Sequence, residues 1–260
     1  MKSTLKTWTT LGLAGALAGG TLAGCSGEAG EGEGGEGGES AVAGEAGTGE
    51  GGEAGEGGES GEAGHSAAAL PLPQRAAFMA GHVEAGLALY RAGDAKAAAP
   101  HLLHPVSETH ADERAGLKEL GFDASLFETV SKALEAGTPA AEVEPQLKAA
   151  EANMAAVRAK AGGDAKELIT FLMDTVTAEY TVAVKDGAVT DAGEYQDAYG
   201  FAIVAKDIAA GLEGDASAKV GGELDQLIAL FPEGGPIPPA EPAPVGQVSA
   251  MASRVTLALP

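Results

Sequence analysis

Residues 164–211 read DAKELITFLMDTVTAEYTVAVKDGAVTDAGEYQDAYGFAIVAKDIAAG, and this stretch decides the fold class. Apolar side chains recur every three or four residues in both of its halves, which is typical of the buried face of a helix. Asp164 and Asp191 are suited to cap the two helices, and Asp186-Gly187 marks the break between them. The stretch therefore predicts two antiparallel helices joined by a short turn.

The same spacing continues outward in both directions along the chain. Val182 to Val184 could form a strand alone, but these residues continue a helical pattern. Glycine or proline interrupts the pattern at Gly93, Pro105, Gly121, Gly137 and Gly162-Gly163. We predict an all-α bundle of about seven or eight helices over residues 66–231, including a short helix over 111–120. Residues 232–260 should add a Pro-rich segment and a short terminal helix.

The composition changes sharply before His65. The chain has 260 residues and a formal net charge of −22, and residues 27–64 consist almost wholly of Gly, Glu and Ala. Such a segment buries too little apolar surface to offset the entropy of ordering, so residues 25–65 are expected to form a disordered Gly/Glu-rich tether. The strong acidity also argues against a nucleic-acid partner.

The beginning of the chain has the three parts of a secretory signal. Lys2 and Lys6 supply a basic start, an apolar run follows, and small residues lead into Cys25, the only cysteine. Leu22-Ala23-Gly24-Cys25 resembles the lipobox of bacterial lipoproteins. The resemblance implies a signal peptide over residues 1–24 and a diacylglycerol and further acyl chain, such as palmitate, on Cys25.

The residue after the cysteine bears on the membrane to which the protein would be anchored. In lipoproteins of Gram-negative bacteria an aspartate at that place signals retention at the inner membrane, whereas this chain has Ser26. The resemblance therefore implies a cell-envelope protein held by lipid at the outer membrane and facing the periplasm.

Four of the five histidines cluster around one predicted helical turn. If Gly93 joins two antiparallel helices, His82 lies at the same height as His101 and His104, which share one helix face. Imidazole suits iron, copper, zinc or nickel, so iron or another divalent metal is a possible cofactor. The candidate ligands are His82, His101, His104, Glu84 and Glu108. In the alternative interpretation, these are ordinary histidines that cap helix ends or lie half buried.

A second group of residues spans the predicted turn between the two helices of residues 164–211. Its members are Tyr180, Ala183, Val184, Gly187, Val189, Glu194, Tyr195 and Phe201. Their spacing resembles that of the extracytoplasmic helical domain attached to bacterial iron permeases of the Ftr type. The Arg-Glu-x-x-Glu transport motif of the permease does not occur here, so the resemblance is to the attached domain. Without a ligand, Tyr180, Gly187, Glu194 and Tyr195 would be the packing and turn residues of a helical hairpin.

The sequence predicts a non-catalytic protein. The phosphate-binding Gly-x-x-x-x-Gly-Lys-Ser/Thr, the Gly-x-Ser-x-Gly elbow and His-Glu-x-x-His do not occur in it. The leading hypothesis is a lipid-anchored protein that binds iron or a similar metal, or assists a metal-uptake system. The alternative is a scaffolding lipoprotein that contacts another envelope protein and needs an exposed apolar groove.

Substitution Cys25→Ser should prevent lipid attachment, because no other thiol can accept the acyl group. We expect uncleaved precursor or mislocalised protein, measured by fractionating membranes after a salt wash. Retention of the variant in outer membranes would contradict the lipoprotein hypothesis.

Overall fold

The helical periodicity of the sequence corresponds to eight α-helices in the computed structural model, which describes residues 70–107, 114 and 116–260. The predicted signal peptide, Cys25, the predicted tether and Glu108 lie outside the described residues. The helices are Leu72–Arg91 (α1), Ala95–Leu103 (α2), Ala124–Glu135 (α3), Ala140–Ala161 (α4), Ala165–Ala183 (α5), Ala192–Ala210 (α6), Asp215–Ile228 (α7) and Val245–Ala258 (α8). The described end of the predicted helix over 111–120 is a 3₁₀ turn, Lys118–Leu120.

Aspartate side chains cap four of the helices, and the sequence predicts two of these caps, at Asp164 and Asp191. Asp94 accepts a hydrogen bond from the Ala97 backbone N–H at the start of α2, at 2.9 Å. At the starts of α3, α5 and α6, backbone N–H groups likewise donate hydrogen bonds to a carboxylate, that of Asp123, Asp164 and Asp191 respectively. Each cap satisfies backbone donors that a helix leaves unpaired and contributes about 1 kcal/mol.

The connection between α5 and α6 differs from the sequence prediction. The helical pattern stops at Ala183, and Val184–Lys185 (β1) pairs antiparallel with Ala188–Val189 (β2). Asp186 and Gly187 both have positive φ, 51° and 78°, which matches the tight turn that Asp-Gly favours in β-hairpins. The expectation that Val182 to Val184 continue the helix is therefore wrong at its last residue.

The helices form two sets of four that pack side by side. In the N-terminal set, α1 to α4, each helix packs on the next and α4 returns to α1; in the C-terminal set, α5 to α8, α8 likewise returns to α5. The two sets meet where α1 packs along α6. Within the described residues, no helix is both long enough and apolar enough to cross a membrane.

Glycines allow α1 and α6 to approach until their backbones touch. A Cβ at Gly200 would collide with the carbonyl oxygen of Gly81 and would lie 2.9 Å from the backbone nitrogen of Ala85. A Cβ at Gly81 would in turn collide with the ring of Phe201. Because only glycine fits at this crossing, both positions set the distance between the two helix sets.

Substitution Gly200→Ala should destabilise the fold by at least about 2 kcal/mol, because its methyl group meets backbone that cannot move aside. Gly221→Ala is the matched control, since Gly221 also lies inside a helix of the C-terminal set but has nothing within 4 Å of its added Cβ. That control should stabilise the protein by roughly 0.5–1 kcal/mol through helix propensity. Urea unfolding measures both, and equal effects of the two substitutions would contradict the close crossing.

Candidate metal centre

The junction of the two helix sets holds a buried polar cluster, defined as His82, His101, His104, Gln196 and Asp197. His82 comes from α1, His101 from α2 and His104 from the 3₁₀ turn that follows α2. Gln196 and Asp197 come from α6. Each residue is at most 6% exposed, although all five are polar. The structure thus brings the three predicted histidines together and adds two residues that the sequence analysis did not select.

Asp197 lies at the centre of this cluster. Its Oδ1 atom is 2.9 Å from Nδ1 of His82 and 2.9 Å from Nδ1 of His101. One ligand atom from each of these three residues lies within 4.8 Å of the others. Two imidazoles and one carboxylate therefore converge on one point between α1, α2 and α6.

His104 packs on His82 through its ring face. The rings of His82 and His104 stack with centroids 3.6 Å apart and planes inclined by 14°. Phe78 and Phe201 meet His82 edge-on at centroid distances of 4.8 and 5.3 Å. His82 is thus enclosed by aromatic rings, which fix the direction in which its nitrogen atoms point.

The two nitrogen atoms of His101 both face oxygen atoms. Nδ1 faces Asp197 Oδ1, and Nε2 is 2.8 Å from Oε1 of Gln196. A neutral imidazole has one N–H and one lone pair, so it can donate to only one of these acceptors. The other contact therefore needs a second proton on the ring, a proton on Asp197, a Gln196 amide turned to donate to the ring, or a bound cation.

The charges in the cluster are strongly interdependent. Burial alone would raise the pKa of the Asp197 carboxyl, but His82 and His101 outweigh it and hold that pKa well below its ordinary value. Burial lowers the pKa of His82, and His104 and His101 lower it further against the opposing effect of Asp197. At neutral pH, Asp197 is therefore an ionised carboxylate that the neighbouring imidazoles stabilise.

The structure places Glu84 apart from the histidines. It lies two residues after His82 on α1, and residues two apart on a helix do not face each other. Its electrostatic neighbours are Asp207, Glu151, Arg91 and Arg158. Burial, followed by the carboxylates of Asp207 and Glu151, raises the pKa of Glu84 to about 7. This side chain therefore titrates near neutrality outside the cluster.

Tyr180, Gly187, Glu194 and Tyr195, the residues whose spacing resembles the iron permease-associated domain, lie in and around the hairpin between α5 and α6. The rings of Tyr180 and Tyr195 lie 5.5 Å apart, and both contact the ring of Phe231. Tyr180 donates a hydrogen bond from its hydroxyl to the carbonyl oxygen of Ala243, and burial raises its pKa to about 12. Glu194 is buried in the first turn of α6, and Gly187 forms the hairpin turn.

Comparison with known proteins identifies one part of the chain. Residues 160–259 match the family model of the iron permease-associated 4-helix bundle domain. The resemblance of residues 180–201 to the helical domain associated with iron permeases is confirmed by this match. No curated protein and no solved structure gives a significant match to the chain.

The matched residues 160–259 coincide with the C-terminal set, because they contain α5, α6, α7 and α8. Asp197 and Gln196 therefore lie within the matched domain, whereas His82, His101 and His104 lie in the N-terminal set. The sequence did contain a signal for Asp197. It stands four residues before Phe201, on the apolar face of α6, where a charged residue requires a partner.

Substitution Glu84→Gln should stabilise the protein above pH 7, by about 1 kcal/mol after allowance for partial exposure. The folded-state pKa of Glu84 is raised above its ordinary value of 4.5, so the folded protein holds a proton that the unfolded chain releases between these values. The gain should disappear as the pH falls to about 4.5.

Urea denaturation at several pH values measures this difference between variant and parent. Glu142→Gln, at an exposed position of α4, is the control and should change stability little. A Glu84→Gln effect that does not depend on pH would contradict the raised pKa.

Proposed function

We propose that this protein is a lipid-anchored, periplasm-facing component of a metal-uptake system. In this proposal it binds a transition metal of the iron type between His82, His101 and Asp197. The protein holds the metal and performs no catalysis. Attachment through Cys25 would keep the binding domain close to the membrane.

One observation carries the proposal: a single carboxylate oxygen lies 2.9 Å from the nitrogen atoms of two buried histidines. Imidazole nitrogen and carboxylate oxygen are the usual protein ligands of first-row transition metals. A divalent ion would also place a positive charge beside the Asp197 carboxylate and the two oxygen atoms that face His101. Burial strengthens this attraction, because water does not screen it.

The family match supports a role in iron systems. The matched domain is described as associated with iron permeases, and it supplies the carboxylate of the site. The secretory signal and lipobox-like sequence support a place in the cell envelope, where an uptake partner would be met. Direct contact with a permease or with another metal-uptake protein is part of the same proposal.

The scaffolding alternative requires an exposed apolar surface. Among the described residues, the exposed large hydrophobic side chains are Ile237 and Leu257, which lie on different segments. Leu257, on α8, borders a shallow groove that also includes Met173. Two separated side chains form a much smaller apolar surface than a typical docking patch, so the buried cluster supports the metal-binding function better.

Isothermal titration of the untagged full-length protein with ferrous and zinc ions at neutral pH tests metal binding. We expect one ion per chain, a rise in melting temperature by mass action, and a loss of affinity below about pH 6.5 as protons compete for the imidazoles. Asp197→Asn should weaken binding by roughly two orders of magnitude, because it removes the charge while keeping the shape of the side chain.

Asp207→Asn is the matched control, because it removes an exposed carboxylate from the same helix. Its affinity should equal that of the parent. Alanine substitution of His101 and His104 is a poorer test, since both side chains are buried and their removal would leave cavities. A flat titration with both ions would refute the metal-binding function and favour the scaffolding alternative.

A further inference from the structure

We propose that residues 236–242, which we call the proline ridge, form the surface through which this protein binds a partner protein. The partner would have a groove lined by aromatic rings, with side-chain hydrogen-bond donors and a basic residue at its edge. The inference specifies where the contact with an uptake partner takes place, so it rests on that part of the proposed function. It does not depend on metal binding.

The connection that contains the proline ridge is longer than the fold requires. Elsewhere, residues 136–139 join α3 to α4 and residues 211–214 join α6 to α7. The helices α7 and α8 also pack on each other, yet residues 229–244 connect them. Connections between packed helices usually have about 2–8 residues, and those longer than about 12–15 residues are mostly functional or disordered.

This connection is held in place on both sides of the proline ridge. Before the ridge, Phe231 packs edge-on against the ring of Tyr180, and Gly235 lies so close to α1 that an added Cβ would be 3.3 Å from the Cβ of Ala92. After it, the carbonyl oxygen of Ala243 accepts a hydrogen bond of 2.9 Å from the Tyr180 hydroxyl. The ridge is therefore displayed between fixed contacts, which favours a functional connection over a disordered one.

Proline determines the conformation of the ridge. Residues 236, 238, 239 and 242 are proline, and each has its φ fixed at about −65°. A proline also restricts the residue before it to extended conformations, which here affects Ile237, Pro238 and Glu241. Residues 236–239 accordingly form neither helix nor strand. The pattern favours a polyproline II conformation, which loses little entropy when a partner binds it.

The exposed groups of the ridge indicate the chemistry of the partner. Ile237 lies between two prolines with its side chain 42% exposed, so it can enter an apolar pocket. Proline has no N–H, and the ridge therefore offers mainly carbonyl acceptors that need donors on the partner. The exposed carboxylate of Glu241 would attract a basic residue. Aromatic grooves with such donors bind proline-rich segments in this conformation, and they do not need a broad apolar patch.

Photo-crosslinking in the cells that produce the protein tests the contact. We expect p-benzoylphenylalanine in place of Ile237 to give an adduct with one partner protein after illumination. The same amino acid in place of Leu257, which is 81% exposed on α8, is the matched control and should not give that adduct. The inference would be overturned by no adduct at position 237, by the same adduct from both positions, or by an adduct between two copies of this chain.

Binding of the crosslinked partner, once identified and purified, is then measured by isothermal titration against the full-length protein. Pro238→Ala combined with Pro239→Ala should weaken binding by roughly tenfold, because the ridge loses its fixed conformation. Pro145→Ala, at an exposed position inside α4, is the control and should leave the affinity unchanged. Ile237→Ser changes one exposed side chain and should weaken binding by about the same factor, which decides the matter if the double variant does not fold.

The ridge and the metal site can fail separately. Equal affinity of the parent and the ridge variants for the partner would overturn the inference. The ridge variants should bind ferrous and zinc ions as the parent does, because the ridge contains none of the residues of the buried cluster. A parent that binds the partner through the ridge but binds neither ion would refute the metal-binding function and support the inference.

Discussion

The direct contact between the backbones of α1 and α6 is the constraint on which the rest of this structure depends. Gly81 and Gly200 have no side chains, so the two helices approach more closely than any other residue would allow. His82 follows the first glycine, and Asp197 precedes the second by less than one turn. Aspartate has a short side chain, and it reaches His82 only because the helices are this close. Gly86 permits a similar approach of α2, which brings His101 to the same oxygen.

The buried charge makes the two helix sets interdependent. Asp197 enters the interior as an ionised carboxylate, and the cost of removing it from water is offset by histidines that belong to the other set. The N-terminal set contributes the imidazole nitrogen atoms of the cluster, and the C-terminal set contributes the oxygen atoms of Asp197 and Gln196. The stability of the junction therefore depends on charge compensation as well as on apolar packing.

Local signals in the sequence were sufficient to predict the helices, but they predicted only part of the buried cluster. The caps at Asp164 and Asp191 were predicted and are confirmed, because capping depends on neighbouring residues. The convergence of the histidines could be predicted because a single turn at Gly93 brings their two helices side by side. Asp197 was missed because its partnership with His82 crosses more than a hundred residues. Glu84 was selected because it is near His82 in the chain, although helical rotation turns it to another side.

The buried cluster is divided between the two helix sets, and the family match covers only one of them. The four helices that match the iron permease-associated domain contain the carboxylate but none of the imidazoles. A protein that carries these four helices alone could share the fold and still lack the histidines of the cluster. A match to that family model therefore does not by itself imply the presence of the buried cluster. For any similar chain, the histidines to look for lie in the helices that precede the matched domain.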